Sequence, residues 1–240
     1  MESCLNMPDL KLSETKLGIE IKTPNFTVFF GGVDSQLPNL KTAYPELSFV
    51  RLKQIHSDAV IESKTVDLDY QVLGDAHYTD KNLALCVVTA DCVPAFIYDP
   101  KRSVIAGIHA GWRGVASRII PKTIARLIAE GSKPGDLEVI IGPHIQKHSF
   151  EVEFDVRDQI MSSLGPLTPE ERAQFSEKIS DKKALVDLDK IVKKQIQDEG
   201  LSLEKLFAIN IDTVTDSRFH SYRRDKEKSG RQISFMVLNK

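Results

Sequence analysis

The sequence predicts a mixed α/β fold, α+β in part, with a central mixed β-sheet flanked by helices as one domain over residues 1–240. Three observations predict it. Strand-length apolar runs rich in β-branched and aromatic residues recur along the chain, the pattern after Gly114 changes to the helical period, and much of the second half is charged with helical spacing. No internal repeat, low-complexity tract or Pro/Gly/Ser-rich linker divides the chain.

Residues 1–16 are expected to form a flexible tail. LGIEIKTPNFTVFF, Leu17 to Phe30, alternates as two short strands around a turn at Pro24 and Asn25, and the glycine pair Gly31 and Gly32 follows. Leu47 to Gln54, Asn82 to Val88, Val93 to Asp99 and Arg102 to His109 read as central strands separated by turn chemistry such as Asp99-Pro100. After Gly114, Val115, Ile119, Ile120, Ile124, Leu127 and Ile128 share one helical face, with Gly131 as the stop and Pro121 imposing a kink or a late start. Leu137 to Gly142 is a further buried strand. About Glu153 to Gly200 is helical, and strands near Leu206 to Ile211 and Gln232 to Leu238 close the order.

Hydrophobic residues make up 41% and charged residues 28%, as in an ordinary soluble globular chain. Lys plus Arg (32) nearly balances Asp plus Glu (34), so nothing points to a nucleic acid, and the expected partners are small molecules. The start MESCLNMPDLKLSETKL lacks the basic, then apolar, design of a secretory signal and no segment approaches a membrane span, so a cytoplasmic location is expected. No coiled-coil or exposed apolar stripe stands out, and a monomer is the default. Cys4, Cys86 and Cys92 are too few and odd for a disulfide framework, so any special cysteine works as a thiol or thiolate.

Six histidines stand at 56, 77, 109, 144, 148 and 220. His56, Cys92 and His109 each fall at an end of a predicted strand. Where those ends meet, two imidazoles and a thiolate make a three-ligand metal site with an open fourth position, the pattern of catalytic zinc; structural zinc uses close pairs such as CxxC, which are absent. On spacing alone, packed and hydrogen-bonded side chains are the competing reading.

The strings KQIHSDAV, GDAHYTD, TADCVPAFIYDP, AGIHAGWRG, IGP…FEV and SYRRDKEKSGR occur in the order typical of the YfiH/YlmD family, also labelled the multicopper polyphenol oxidase or laccase-domain family. The chain resembles that family from Phe26 to Leu238. The resemblance implies a single α/β domain with a zinc ion on His56, Cys92 and His109, and copper as an adventitious or alternative metal. It also implies phosphorolysis of adenosine, inosine and methylthioadenosine, with adenosine deamination.

An open zinc polarises a substrate oxygen or activates a water, which suits both reactions. Arginine forks suit phosphate, so Arg113, Arg223, Arg224 and Arg231 are candidates, against a solvated turn for the last three. Asp75 and Asp91 are candidate acid/base or ligand-orienting carboxylates, although Asp91 equally suits a turn cap. Gln54 shares a strand face with His56 and is a candidate substrate contact, and Trp112 either stacks on a purine or joins the core. Phe29 stands where relatives carry an Arg, and His144, His148 and Ser149 where they often carry cysteines. The stretch between Gly32 and Leu47 is shortened, while His77 and His220 have no assigned role.

Three rival readings remain. A copper polyphenol oxidase fits a two-His, one-Cys site, but six histidines without a His-X-His pair do not build a multicopper cluster. A cysteine hydrolase would use Cys92 as nucleophile with His109 or His56 as base. The last is a metal-dependent binding module.

Overall fold

Side chains on a strand point alternately to opposite faces, and here that alternation sorts the apolar residues into three layers of core. The computed structural model describes residues 10–66 and 69–239. The chain opens with strands β1 (Leu12–Thr15), β2 (Gly18–Lys22) and β3 (Phe26–Gly31), helix α1 (Leu37–Ala43), β4 (Phe49–Arg51) and β5 (Val60–Glu62). Next come β6 (Ala76–Thr79), β7 (Ala84–Thr89), β8 (Val93–Asp99), β9 (Val104–Ala110), α2 (Trp112–Ala116), α3 (Ile119–Ala129) and β10 (Glu138–Ile141). They are followed by β11 (Glu151–Glu153), α4 (Phe154–Ser162), α5 (Pro169–Phe175), β12 (Ser176–Lys178) and β13 (Lys183–Val186). The last elements are α6 (Leu188–Asp198), β14 (Leu206–Ala208), α7 (Tyr222–Asp225) and β15 (Gln232–Leu238).

Two six-stranded sheets form, in the orders β1-β2-β3-β15-β7-β4 and β14-β10-β8-β9-β6-β5, beside a small sheet β11-β13-β12. Both large sheets are mixed: most pairs are antiparallel, while β4 with β7, β5 with β6 and β10 with β14 run parallel. Val28, Phe30, Leu85 and Met236 of the first sheet pack on Phe96, Ile105 and Ile140 of the second. The alternate residues face outward. Phe29, Cys86 and Phe235 lie under Leu40 of α1, whereas Ala95, Ile97, Ala106 and Ile108 lie under Ile120 and Ile124 of α3 and Ile191 of α6. The expected mixed α/β class is what the chain adopts, with the single central sheet divided into two stacked ones.

Particular expectations change. The tail expected over residues 1–16 lies in part outside the described residues, but Leu12–Thr15 pairs with Ile21–Gly18 as an edge strand. The strand expected from Leu47 to Gln54 is only β4, and His56 sits beyond it in a loop rather than at a strand end. Of the kink or late start expected at Pro121, the late start is what forms, since α2 stops at Ala116 and α3 begins at Ile119. Pro121 is the third residue of α3, inside the first turn where the missing N–H would have had no helical acceptor, and Arg118 starts the helix from a left-handed φ of 61°. The Glu153 to Gly200 region holds α4, α5 and α6 but also the β12–β13 hairpin, in which β12 is polar and β13 only four residues long, too short to stand out from the helical spacing around it. Among the described residues no helix is long and apolar enough to cross a membrane.

His77 of β6 is buried between the sheets, with Nδ1 on the Ser63 hydroxyl at 3.1 Å and Nε2 unpaired. Burial holds its pKa down at about 4, against 6.5 for a free imidazole. The unfolded chain therefore takes up a proton first, so this contribution to stability is full above pH 6.5 and lost as pH falls toward 4, on the order of 3 kcal/mol. Urea midpoints between pH 7 and 4.5 are expected to fall less steeply in His77→Gln than in the native chain. An unchanged slope would remove His77 as the cause.

Candidate active site

Strand register brings the chemistry together. β8 and β9 pair with Val93 opposite Ala110 and Pro94 opposite His109, so Cys92, just before β8, lies beside the end of β9. β6 pairs with the other side of β9 with Ala76 opposite Ile108, which sets Asp75 next to His109. His56 arrives from the β4–β5 loop and is held there by Asp75, whose carboxylate accepts the N–H groups of Ile55 (3.2 Å), His56 (3.0 Å) and Ser57 (2.6 Å) and the Ser57 hydroxyl (2.7 Å). These bonds keep His56 in a left-handed conformation, φ 58°, that a side chain of this kind adopts at a cost of about 1–3 kcal/mol.

One donor atom from each of His56, Cys92 and His109 lies within 4.8 Å of the others, the only such group of metal-type donors among the described residues. The donor set fits a divalent metal. Small side-chain rotations bring atoms at this spacing to the edges of a tetrahedron about 3.5 Å long. His109 Nδ1 donates to Asp75 Oδ1 at 2.8 Å, so its Nε2 is the nitrogen left for a metal, the usual arrangement of a carboxylate behind a ligating imidazole.

The electrostatics agree with this pairing. Burial alone would raise the Asp75 carboxyl, yet the bonds from His109 and Ser57 bring it down to about 2. Burial would lower His109, but the Cys92 sulfur and Asp75 lift it to about 9. His56 is lowered by burial and by His109, with Arg113 and Arg231 close enough to add to the effect.

Gly111 closes one side of the trio. A Cβ at this position would lie 2.7 Å from His56 Nδ1 and 3.2 Å from Cys92 Sγ. Gly111→Ala is therefore expected to displace His56 and to lower bound metal by at least about tenfold, with thermal stability nearly unchanged. Metal content after desalting checks it, and full occupancy in the variant would contradict the packing argument.

The trio faces a cleft of about 650 Å³, within the range of small-molecule sites. Arg113, Arg223 and Arg231, the arginines expected to meet phosphate, all line it, and Lys226 joins them. Arg113 lies with its guanidinium 4.3 Å from the ring of Trp112, which is half-buried against the core yet also borders the cleft. Arg224 does not belong with these: its guanidinium bonds the carbonyls of Thr213, Val214 and Phe219 and the carboxylate of Asp225.

Other expected contacts are occupied inside the protein. Gln54 borders the cleft, but its amide donates to Val88 O and accepts from Val88 N, both at 2.7 Å, continuing the β4–β7 ladder with a side chain. Asp91 Oδ1 accepts the Thr213 hydroxyl at 2.7 Å and Oδ2 accepts the Arg223 N–H at 2.6 Å, an arrangement that holds loops together. His144 is buried with Nδ1 on Gly142 O, His148 pairs with Asp212, and His220 Nε2 bonds Val33 O; none faces the trio. Phe29 stacks on Phe235 in the outer core, away from the cleft. Sequence reasoning missed Lys226 and Thr213. Lys226 belongs to the basic string SYRRDKEKSGR and was findable there, whereas Thr213 meets Asp91 across 122 positions with no local signal.

A family model described as multi-copper polyphenol oxidoreductase laccase matches residues 36–239. The chain belongs to this family. A Clostridium acetobutylicum relative named purine nucleoside phosphorylase is 32% identical over 91% of this chain and 94% of its own length. Among solved structures, the Bacillus licheniformis hypothetical protein YfiH is similar at a TM-score of 0.77 and 27% identity, covering 92% of both chains. YlmD of Geobacillus stearothermophilus has the same fold at a TM-score of 0.80 and 22% identity, over 97% of this chain and 100% of its own. The resemblance carried by TADC and IHAGWRG is borne out, and the relatives' names support an enzyme acting on a small molecule. Among the described residues the other histidines form no second cluster of metal-type donors.

Proposed function

We propose that the chain is a zinc-dependent purine nucleoside phosphorylase acting on adenosine, inosine and methylthioadenosine, with adenosine deamination at the same site. It would work as a cytoplasmic monomer on nucleosides and phosphate. The observation that carries the reading is one cleft with two kinds of chemistry: a two-His, one-Cys donor set on its wall and Arg113, Arg223 and Arg231 beside it. When bound, zinc supplies a Lewis-acidic centre for a polar atom of the substrate.

The chain's own groups do the rest. The arginine forks bind phosphate oxygens and fix the nucleophile; Arg113 lies close enough to His56 to join the two halves of the site. Asp75 keeps the Nδ1 proton of His109 in place and so fixes which nitrogen faces the cleft. Trp112 and Tyr70 give the cleft apolar walls that suit a purine face.

Product analysis with and without phosphate tests this. Phosphate-dependent adenine and ribose 1-phosphate from adenosine, lost on metal removal, are expected, while inosine and ammonia as the sole products, formed with or without phosphate, would leave only the deaminase part.

A second reading has its own support. Asp75, His109 and Cys92 lie in the order of a carboxylate, base and thiol nucleophile, with His109 hydrogen-bonded to Asp75 and the Cys92 sulfur within 4.8 Å of a ring nitrogen. His56 converging on the same point favours a metal. Copper-dependent phenol oxidation would require oxygen uptake that tracks stoichiometric copper.

A further inference from the structure

Asp91 stands beside Cys92 with both carboxylate oxygens engaged. Oδ1 takes the Thr213 hydroxyl at 2.7 Å, Oδ2 takes the Arg223 N–H at 2.6 Å, and the Asp91 carbonyl takes the Ile145 N–H at 3.0 Å. The residue is itself in a left-handed conformation, φ 80°, next to a member of the donor trio. A carboxylate tied at both oxygens to two separate segments fixes the distance to each of them.

That distance runs from Cys92 to the segment 222–231, which contributes Arg223, Lys226 and Arg231 to the cleft. Arg223, the second residue of α7, places its N–H on Asp91, and the next amide, Arg224 N–H, is capped by Ser221 Oγ at 3.1 Å. Arg223 is also tied at Nη1 to Glu151 O at 2.8 Å, leaving the remaining fork for a ligand. Lys226 follows with φ 52°, again left-handed, so the segment's path depends on where α7 is pinned.

We propose that Asp91, locked by Thr213, is a positioning residue that registers the cation segment against the metal trio and so governs capture of the phosphate co-substrate. The proposal rests on the phosphorolysis reading above for its kinetic consequence. Its structural part stands on phosphate binding alone.

Zinc-loaded full chain, Thr213→Val, Thr213→Ser and Asp91→Asn are compared for bound metal, the KM values of phosphate and adenosine, kcat, and direct calorimetric titration with inorganic phosphate. Thr213→Val frees Oδ1 and loosens the carboxylate. The phosphate KM is expected to rise about tenfold with kcat at saturating phosphate, adenosine KM and bound metal unchanged, and Thr213→Ser restores the native value. Asp91→Asn puts an amide N–H against the Arg223 or Thr213 donor and raises the phosphate KM further.

Equal rises in both KM values, unchanged phosphate affinity, or loss of one limb of the pH–rate profile in Asp91→Asn would overturn the proposal, the last by making Asp91 an acid or base. Failure of the phosphorolysis reading looks different. The native chain then makes no phosphate-dependent product, while calorimetry still shows whether Thr213→Val weakens phosphate binding by about tenfold.

Discussion

Replacing Cys92 with alanine is expected to abolish retained metal and to lower nucleoside turnover by at least about a thousandfold, since Lewis-acid stabilisation is worth several kcal/mol and each 1.4 kcal/mol is tenfold. Two imidazoles remain, and two neutral ligands do not hold a divalent ion against solvent as three donors including a thiolate do. The fold tolerates the change because Cys92 is only half-buried at the cleft wall. Cys86 supplies the control: burial pushes its thiol well up, it packs under α1 in the outer core, and Cys86→Ala is expected to lose some stability while keeping metal and turnover. Cys92→His separates the two chemistries that the site supports. It retains a donor, so part of the metal and activity should return; a nucleophilic thiol would leave this variant inactive with metal bound. His56→Ala and His109→Ala are expected to match Cys92→Ala in metal loss, and retained zinc with native turnover in any two of the three would refute the assignment.

The parts of this site legible in the sequence are those whose information is local. β3, β7, β8, β9, β10 and β15 are buried on both faces, so they read as unbroken apolar runs, and Cys92 and His109 follow from where β8 begins and β9 ends. The division into two stacked sheets is not local: it depends on β15, almost at the end of the chain, inserting between β3 and β7. His56 was expected at a strand end because Leu47 to Gln54 alternates, yet β4 stops at Arg51 and the ladder is carried on by the Gln54 side chain. His56 does meet Cys92 and His109, but its support is not a strand: Asp75 holds it from 19 positions away. Asp91 shows the same limit. Its position beside Cys92 made it a candidate, but its carboxylate is engaged by Thr213 and Arg223, more than a hundred residues on, and no spacing in the chain announces those contacts.

Asp75→Asn is expected to combine the largest stability loss of any single polar substitution in the site with a loss of metal affinity. The carboxylate has five donors around it: His56 N–H and His109 Nδ1–H on Oδ1, and Ile55 N–H, Ser57 N–H and the Ser57 hydroxyl on Oδ2. An amide offers one acceptor oxygen. In either orientation its NH2 group faces donors, leaving buried N–H groups unpaired, so unfolding is expected to become easier by about 3–5 kcal/mol. The depressed carboxyl gives the corresponding pH sign: its contribution is complete above the ordinary value of 3.8 and disappears as pH falls toward about 2, so it is fully present at neutral pH. The metal consequence follows from the same bonds. His109 loses the partner that fixes its Nδ1 proton, and His56 loses the bond that holds its left-handed backbone, so affinity should fall about 10–100-fold as such supporting carboxylates usually show. Urea unfolding and competition with a chelator read the two losses separately. Saturating metal should recover much of the turnover in Asp75→Asn but none in Cys92→Ala, because the former retains all three donors; turnover that stays lost with metal fully bound would instead make Asp75 a participant in the chemical step.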